Sequence, residues 1–180
     1  MIEDRRMRFI RSDGEFDYYL FTPTLFRQYY NRKEPWTEHR SRFTHKLHML
    51  YYLLRGGYNI LYLMKESEVV GYIVFTKAGN DIVEGTTKND IYTIYVTTNP
   101  DFRRLGIATK VVDVMLNGLG LDYQYSYKTI SISNTGSRKA AEKNGYSIIC
   151  NIRKRGPLCR IVRDCSASSG LYQAKGINSI

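Results

Sequence analysis

The residues best placed to do chemistry stand together at Arg103-Arg104-Leu105-Gly106-Ile107-Ala108. Two cations precede a glycine and a small residue. Directly before them runs Ile91–Thr97, rich in β-branched and aromatic residues and stopped by Asn99-Pro100. A strand that ends in such a turn and enters a helix makes an anion site. The first N–H groups of a helix have no partner within it, and phosphate oxygens supply the missing acceptors. Gly106 lets a phosphate approach the backbone, Ala108 keeps the first turn open, and Arg103 and Arg104 add charge-assisted hydrogen bonds. A second polar cluster, Ser133-Asn134-Thr135-Gly136-Ser137, follows another strand-like run and leads into Arg138–Gly145-Tyr146.

The elements that must position these turns are legible from hydrophobic period. Met7–Arg11 is expected as a strand, Asp13–Asp17 as a turn and Pro23–Asn31 as a helix. A second helix is expected from His39 to Arg55, capped by Thr37 and ended by Gly56-Gly57, with Phe43, Leu47, Leu50 and Leu54 as its apolar stripe. Tyr58–Lys65 and Val69–Lys77 form a hairpin, and Ala78–Asn89 is a loop. After the strand at 91–97 come a helix at Leu105–Leu116, a strand at Tyr127–Ser133 and a helix at Ser137–Lys143. Two last strands, Tyr146–Ile152 and Leu158–Val162, are joined by a basic turn at Arg153–Pro157. This order predicts one domain over residues 1–165 with a loosely ordered tail at 166–180. The fold class is α/β (α+β), a central mixed, mostly antiparallel twisted sheet flanked by helices.

The segment from Ile91 to Tyr146 resembles the GNAT superfamily of acyl-CoA N-acyltransferases. Arg103-x-x-Gly106-x-Ala108 matches its pyrophosphate loop, and Ile94-Tyr95-Val96 the hydrophobic-Tyr-Val that precedes it. Asn134, Ser137, Glu142, Lys143, Gly145 and Tyr146 match its later Asn-x-x-Ser…Glu-Lys-x-Gly-Tyr pattern. The resemblance implies acetyl-CoA as cosubstrate and no metal. The acetyl group would pass to a small-molecule or peptide amine by direct attack in a ternary complex. Backbone groups of Arg104, Leu105, Gly106, Ile107, Ala108 and Thr109 would hold the pyrophosphate, with the Arg103 and Arg104 side chains neutralising it. The Val96 N–H, beyond Ile94 and Tyr95, would meet the thioester carbonyl. Asn134 would face the pantetheine arm, and Ser137 would cap the next helix or touch the cofactor. Many relatives protonate the leaving thiol with a tyrosine where this chain has Ala141. Asp90 or Tyr92, which with Ile94 and Val96 share a face under strict alternation, are the candidate bases. In the family the acceptor wall is built by residues 22–55 and the loop 78–90. There Asp81, Glu84 and Asp90 form an acidic lip suited to a cationic amine.

Composition narrows the alternatives. The formal charge is +10, with 27 Lys and Arg against 17 Asp and Glu. Such a field attracts an anionic partner, either coenzyme A or nucleic acid. A basic nucleic-acid-binding module and a CoA-binding domain without catalysis are therefore the competing readings. The first is disfavoured, because no aromatic platform accompanies Arg153-Lys154-Arg155. His39, His45 and His48 lack a further ligand and are read as solvated or groove-lining rather than metal-binding. The three cysteines, Cys150, Cys159 and Cys165, form no CxxC pair, which suits a reducing, cytoplasmic setting. No secretory signal or membrane-length apolar run is visible. The assembly is expected to be a monomer or homodimer.

Overall fold

In the computed structural model, the described residues are 6–30, 36–37, 42–78, 82–155 and 160–176. Nine strands form one sheet in the order β1-β2-β3-β4-β5-β6-β9-β7-β8. They are β1 (Met7–Ser12), β2 (Asp17–Phe21), β3 (Asn59–Lys65), β4 (Glu68–Lys77), β5 (Ile91–Thr98), β6 (Tyr125–Ser131), β7 (Ser147–Arg155), β8 (Arg160–Arg163) and β9 (Ser169–Lys175). Every pairing is antiparallel except that of β5 with β6. The expected mixed, mostly antiparallel sheet is therefore present.

Among the described residues, three helices cover the two faces. α1 (Phe43–Leu54) packs Met49 and Tyr52 with Ile60, Tyr62 and Tyr72 on one face. α2 (Ile107–Asp113), extended by a π turn at Val114–Gly118, packs on the other face with α3 (Thr135–Lys143). Leu61, Leu63, Ile73 and Phe75 of the sheet meet them there. With helices on both sides, β3 and β4 are buried along nearly their whole length, and they read as continuous apolar runs rather than alternating ones.

Several expectations are corrected. Residues 23–30 form no helix; a turn closed by a Thr24–Arg27 bridge replaces it. Asp17, read as the end of a turn, begins β2. α1 starts at Phe43 with Arg42 at its N-cap, whereas Thr37 lies in a short 3-10 turn and is buried; residues 38–41 fall outside the described set. Its buried face is His45, Met49 and Tyr52, while Phe43, Leu47 and Leu54 are exposed. Both stripes have helical period, and the aromatic pocket of the sheet selects the one with polar tips. Arg153–Arg155 continue β7 instead of turning. The tail differs most, because Ser169–Lys175 forms β9 and pairs with β6 on one side and β7 on the other.

One glycine fixes where α2 begins. A Cβ on Gly71 of β4 would fall 2.5 Å from the Ile107 Cγ2 and 3.1 Å from the Thr97 carbonyl oxygen. Only a bare backbone lets Ile107, fully buried at the first position of α2, seat against the sheet. Gly71→Ala should overpack this contact and lower stability by about 1–3 kcal/mol in chemical denaturation.

Candidate functional site

The parallel pairing of β5 with β6 is short. It covers Ile91↔Ser126, Tyr92↔Tyr127 and Thr93↔Lys128, and then stops. β4 meanwhile stays paired with β5 as far as Thr98. The cause lies in a bulge. Val74 pairs with Tyr95 and Phe75 with Thr93, so Ile94 is the extra residue on β5. A bulge bends its strand and raises the local twist, and the strand edge from Ile94 to Thr98 leaves β6. A cleft of about 610 Å³ opens between them, lined by residues 93–98 and 128–131 together with Arg103, Ala108, Asn134 and Ser137.

The same bulge changes which residues share a face. Tyr92, Ile94 and Tyr95 pack on the α1 side, whereas Val96 packs on the α2 side. Strict alternation, which puts Tyr92 and Val96 together, fails at that point.

At the open end of the cleft stands the start of α2. Asn99 caps a one-turn 3-10 helix at Pro100–Phe102 by accepting from the Asp101 N–H at 3.2 Å. The chain then passes through Arg104 at φ 67° and Gly106 at φ 76°. Gly106 occupies the N-cap in the left-handed region, and no side chain caps the helix. Its conformation, not lack of space, requires glycine, since a Cβ there would meet nothing within 4 Å. Arg103 and Ala108 face the cleft, and Arg104, Leu105 and Gly106 are exposed at the turn. Ile107 is buried in the core. Thr109 accepts at its carbonyl from Asn144 Nδ2 at 3.3 Å, tying α2 to the end of α3.

Asn134 caps α3, its Oδ1 accepting from the Ser137 N–H at 3.1 Å. Capping is thus the work of Asn134, not of Ser137, and both line the cleft. Asp90 is buried at the beginning of β5. Its Oδ2 accepts from the Thr87 N–H at 2.7 Å and the Thr87 hydroxyl at 3.0 Å, and its Oδ1 from the Tyr125 N–H at 3.0 Å. This carboxylate straps the preceding loop to β6, at the closed end of the strand pair. Asp81 lies outside the described residues; of the two described members of the expected acidic lip, Glu84 is exposed and Asp90 buried. The hydroxyl of buried Tyr92 lies 3.2 Å from the Oγ1 of Thr129, and it is Thr129 that lines the cleft.

Two residues differ from expectation: His45, read as solvated or groove-lining, and Lys128, to which the sequence assigns no role. His45 is buried, with Nε2 2.6 Å from the Tyr29 hydroxyl and its ring 5.3 Å from that of Tyr95. Lys128 lines the cleft and is only 6% exposed. Burial lowers its ammonium to about 8, and its Nζ sits 5.0 Å from the centre of the Tyr146 ring. The available signal was parity: Ser126, Lys128 and Ile130 alternate on the buried face of β6, where a cation is unexpected.

The comparisons bear on this geometry. The model of the Acetyltransferase (GNAT) family matches residues 23–146. The chain belongs to that family. A search of curated protein sequences found no significant match. Among solved structures, a GNAT family acetyltransferase from Elizabethkingia anophelis with acetyl-CoA bound superposes with TM-score 0.56 at 16% identity, covering 88% of this chain and 97% of that one. Diaminobutyrate acetyltransferase EctA from Paenibacillus lautus gives 0.50 at 16%, over 67% and 72%. Ard1 from Thermoplasma volcanium gives 0.50 at 13%, over 66% and 71%. At these identities the likeness is one of GNAT fold. No helix among the described residues is long and apolar enough to cross a membrane.

Lys128 carries a stability consequence. An unfolded lysine, at 10.5, keeps its proton to higher pH than the folded one. Between about pH 8 and 10.5 the unfolded chain therefore binds more protons, and this group's contribution to stability rises with pH. In urea unfolding at about pH 7.5 and 9.5, Lys128→Met should remove that rise relative to the parent protein.

Proposed function

We propose that this GNAT acetyltransferase is an acetyl-CoA-dependent N-acetyltransferase. The observation that carries the reading is the cleft opened at Ile94 with the uncapped start of α2 at its mouth. Its two ends differ in the way the two ends of acetyl-CoA differ. Phosphates suit the mouth, where the first amides of α2 lack acceptors and Arg103 and Arg104 supply charge. An uncharged amide-bearing arm suits the slot between β5 and β6, where the strand edge from Ile94 to Thr98 can pair with it as a further strand would. The reach to Val96 then puts a backbone N–H near the carbonyl on which negative charge develops. The acetyl-CoA held by the Elizabethkingia neighbour supports this ligand.

The acceptor, a small-molecule or peptide amine, would approach from the α1 side. EctA, captured with L-2,4-diaminobutyric acid and coenzyme A, supports an amine acceptor. An ammonium has no lone pair to attack with, so a proton must leave first. Of the two candidate bases, Asp90 already accepts three hydrogen bonds at the closed end. Tyr92 joins the cleft wall through Thr129, and this hydroxyl pair would relay the proton to water.

Saturating acetyl-CoA should raise the melting temperature, because a ligand at a hundred times its Kd adds about 2.7 kcal/mol. Gly106→Val, which forces a branched residue to positive φ at a cost of about 1–2 kcal/mol, should lower the melting point and abolish the ligand shift. Identical melting curves with and without acetyl-CoA in the parent protein would refute the reading. Release of free thiol with members of an amine panel would then identify the acceptor.

A further inference from the structure

Lys128 is the one buried cation of the cleft, and its surroundings define what it can serve. Its ammonium has neither a carboxylate within ion-pair distance nor a hydrogen-bond partner among the described residues. The titratable groups on its face are tyrosines. Tyr146, in the turn after α3, offers its ring while its hydroxyl is 2.7 Å from Ser126 Oγ. Burial pushes the Tyr146 phenol up to about 12, so it stays neutral. Tyr172 of β9 stands opposite Lys128 in the ladder. α2 and α3 present Val111, Met115 and Ala141 to this face. An ammonium this little exposed, reaching only the cleft and given only an aromatic ring by the protein, is under-satisfied. It gains most from a ligand atom that carries, or develops, negative charge.

Position narrows that atom. Thr93↔Lys128 is the last pair before the strands part, so Lys128 marks the closed end of the cleft. The phosphates belong at the other end, beside α2. The part of coenzyme A that reaches the closed end is the tip of its arm, where the sulfur lies. We infer that the Lys128 ammonium faces that sulfur and gives it a proton as the thioester breaks. The inference rests on the acetyl-CoA reading of the cleft.

The step balances. The neutral amine forms a carbon–nitrogen bond, and the carbon–sulfur bond breaks with its electron pair going to sulfur. Sulfur takes a proton from Lys128 and leaves as the thiol. The extra proton on the new amide nitrogen passes to water on the Tyr92–Thr129 side. Lys128 regains a proton from solvent after the thiol departs. Ordinary thiols ionise near 8.5, close to the value burial gives Lys128, so the transfer is nearly level in energy and readily reversed.

The test needs no acceptor. Calorimetric affinities are measured at about pH 8 for acetyl-CoA, coenzyme A and desulfo-coenzyme A, which has hydrogen in place of the thiol. The parent protein should bind coenzyme A about tenfold more tightly than desulfo-coenzyme A. Lys128→Met should bind acetyl-CoA within about threefold of the parent and lose the preference. Equal affinity of the parent for coenzyme A and desulfo-coenzyme A, with acetyl-CoA still bound, overturns the role of Lys128 and leaves the cleft reading standing. Failure of the parent to bind acetyl-CoA removes both.

Discussion

The separation of β5 from β6 after Thr93 is the constraint on which the site depends. Two adjacent parallel strands would ordinarily stay paired to their ends. Here β5 has an older claim on it, an antiparallel ladder with β4 that runs to Thr98, and the extra residue at Ile94 bends it along that ladder. β6 is held to a different course by its own antiparallel ladder with β9, from Tyr125 to Ser131. Each strand follows its better partner, and the gap is what remains. Its unpaired backbone faces the cleft instead of another strand. The start of α2 is fixed at one end of that gap by the missing side chain of Gly71.

The sheet also separates two chemical environments. The α2 and α3 face is mainly aliphatic, with Lys128, Ser126, Thr93 and tyrosines such as Tyr146 and Tyr172 as its polar members. The α1 face is crowded with polar-tipped aromatics, including Tyr29, Tyr92 and Tyr127, together with His45. A reaction that must deliver a proton to one atom and remove one from another benefits from walls of different character. The cleft lies where those walls meet.

What was legible in the sequence was local. The turn from Arg103 to Ala108, the strand before it and the glycine that starts α2 are carried by adjacent residues, and the structure has them in place. The stripe of α1 was misread because His45, Met49 and Tyr52 share the period of Phe43, Leu47 and Leu54. Which face turns inward depends on aromatic partners in distant strands. Val96 was assigned to the wrong side because a bulge at Ile94 leaves no mark in an alternating pattern. Lys128 lies inside the strand expected at Tyr127–Ser133, but alternation alone does not say which of that strand's faces the helices cover. β9 was missed altogether, since its short, small-residue sequence becomes a strand only between two neighbours already aligned.

That late strand sets a condition on how the molecule is made. Lys175 pairs with Tyr125, fifty positions earlier. During synthesis, β6 and β7 emerge with facing edges that must wait for β9, and such waiting edges invite pairing with neighbouring chains. One wall of the cleft is therefore unsupported until residue 175 has cleared the ribosome. The cleft wall is complete only once β9 has docked between β6 and β7, a closing step of the slow and non-local kind.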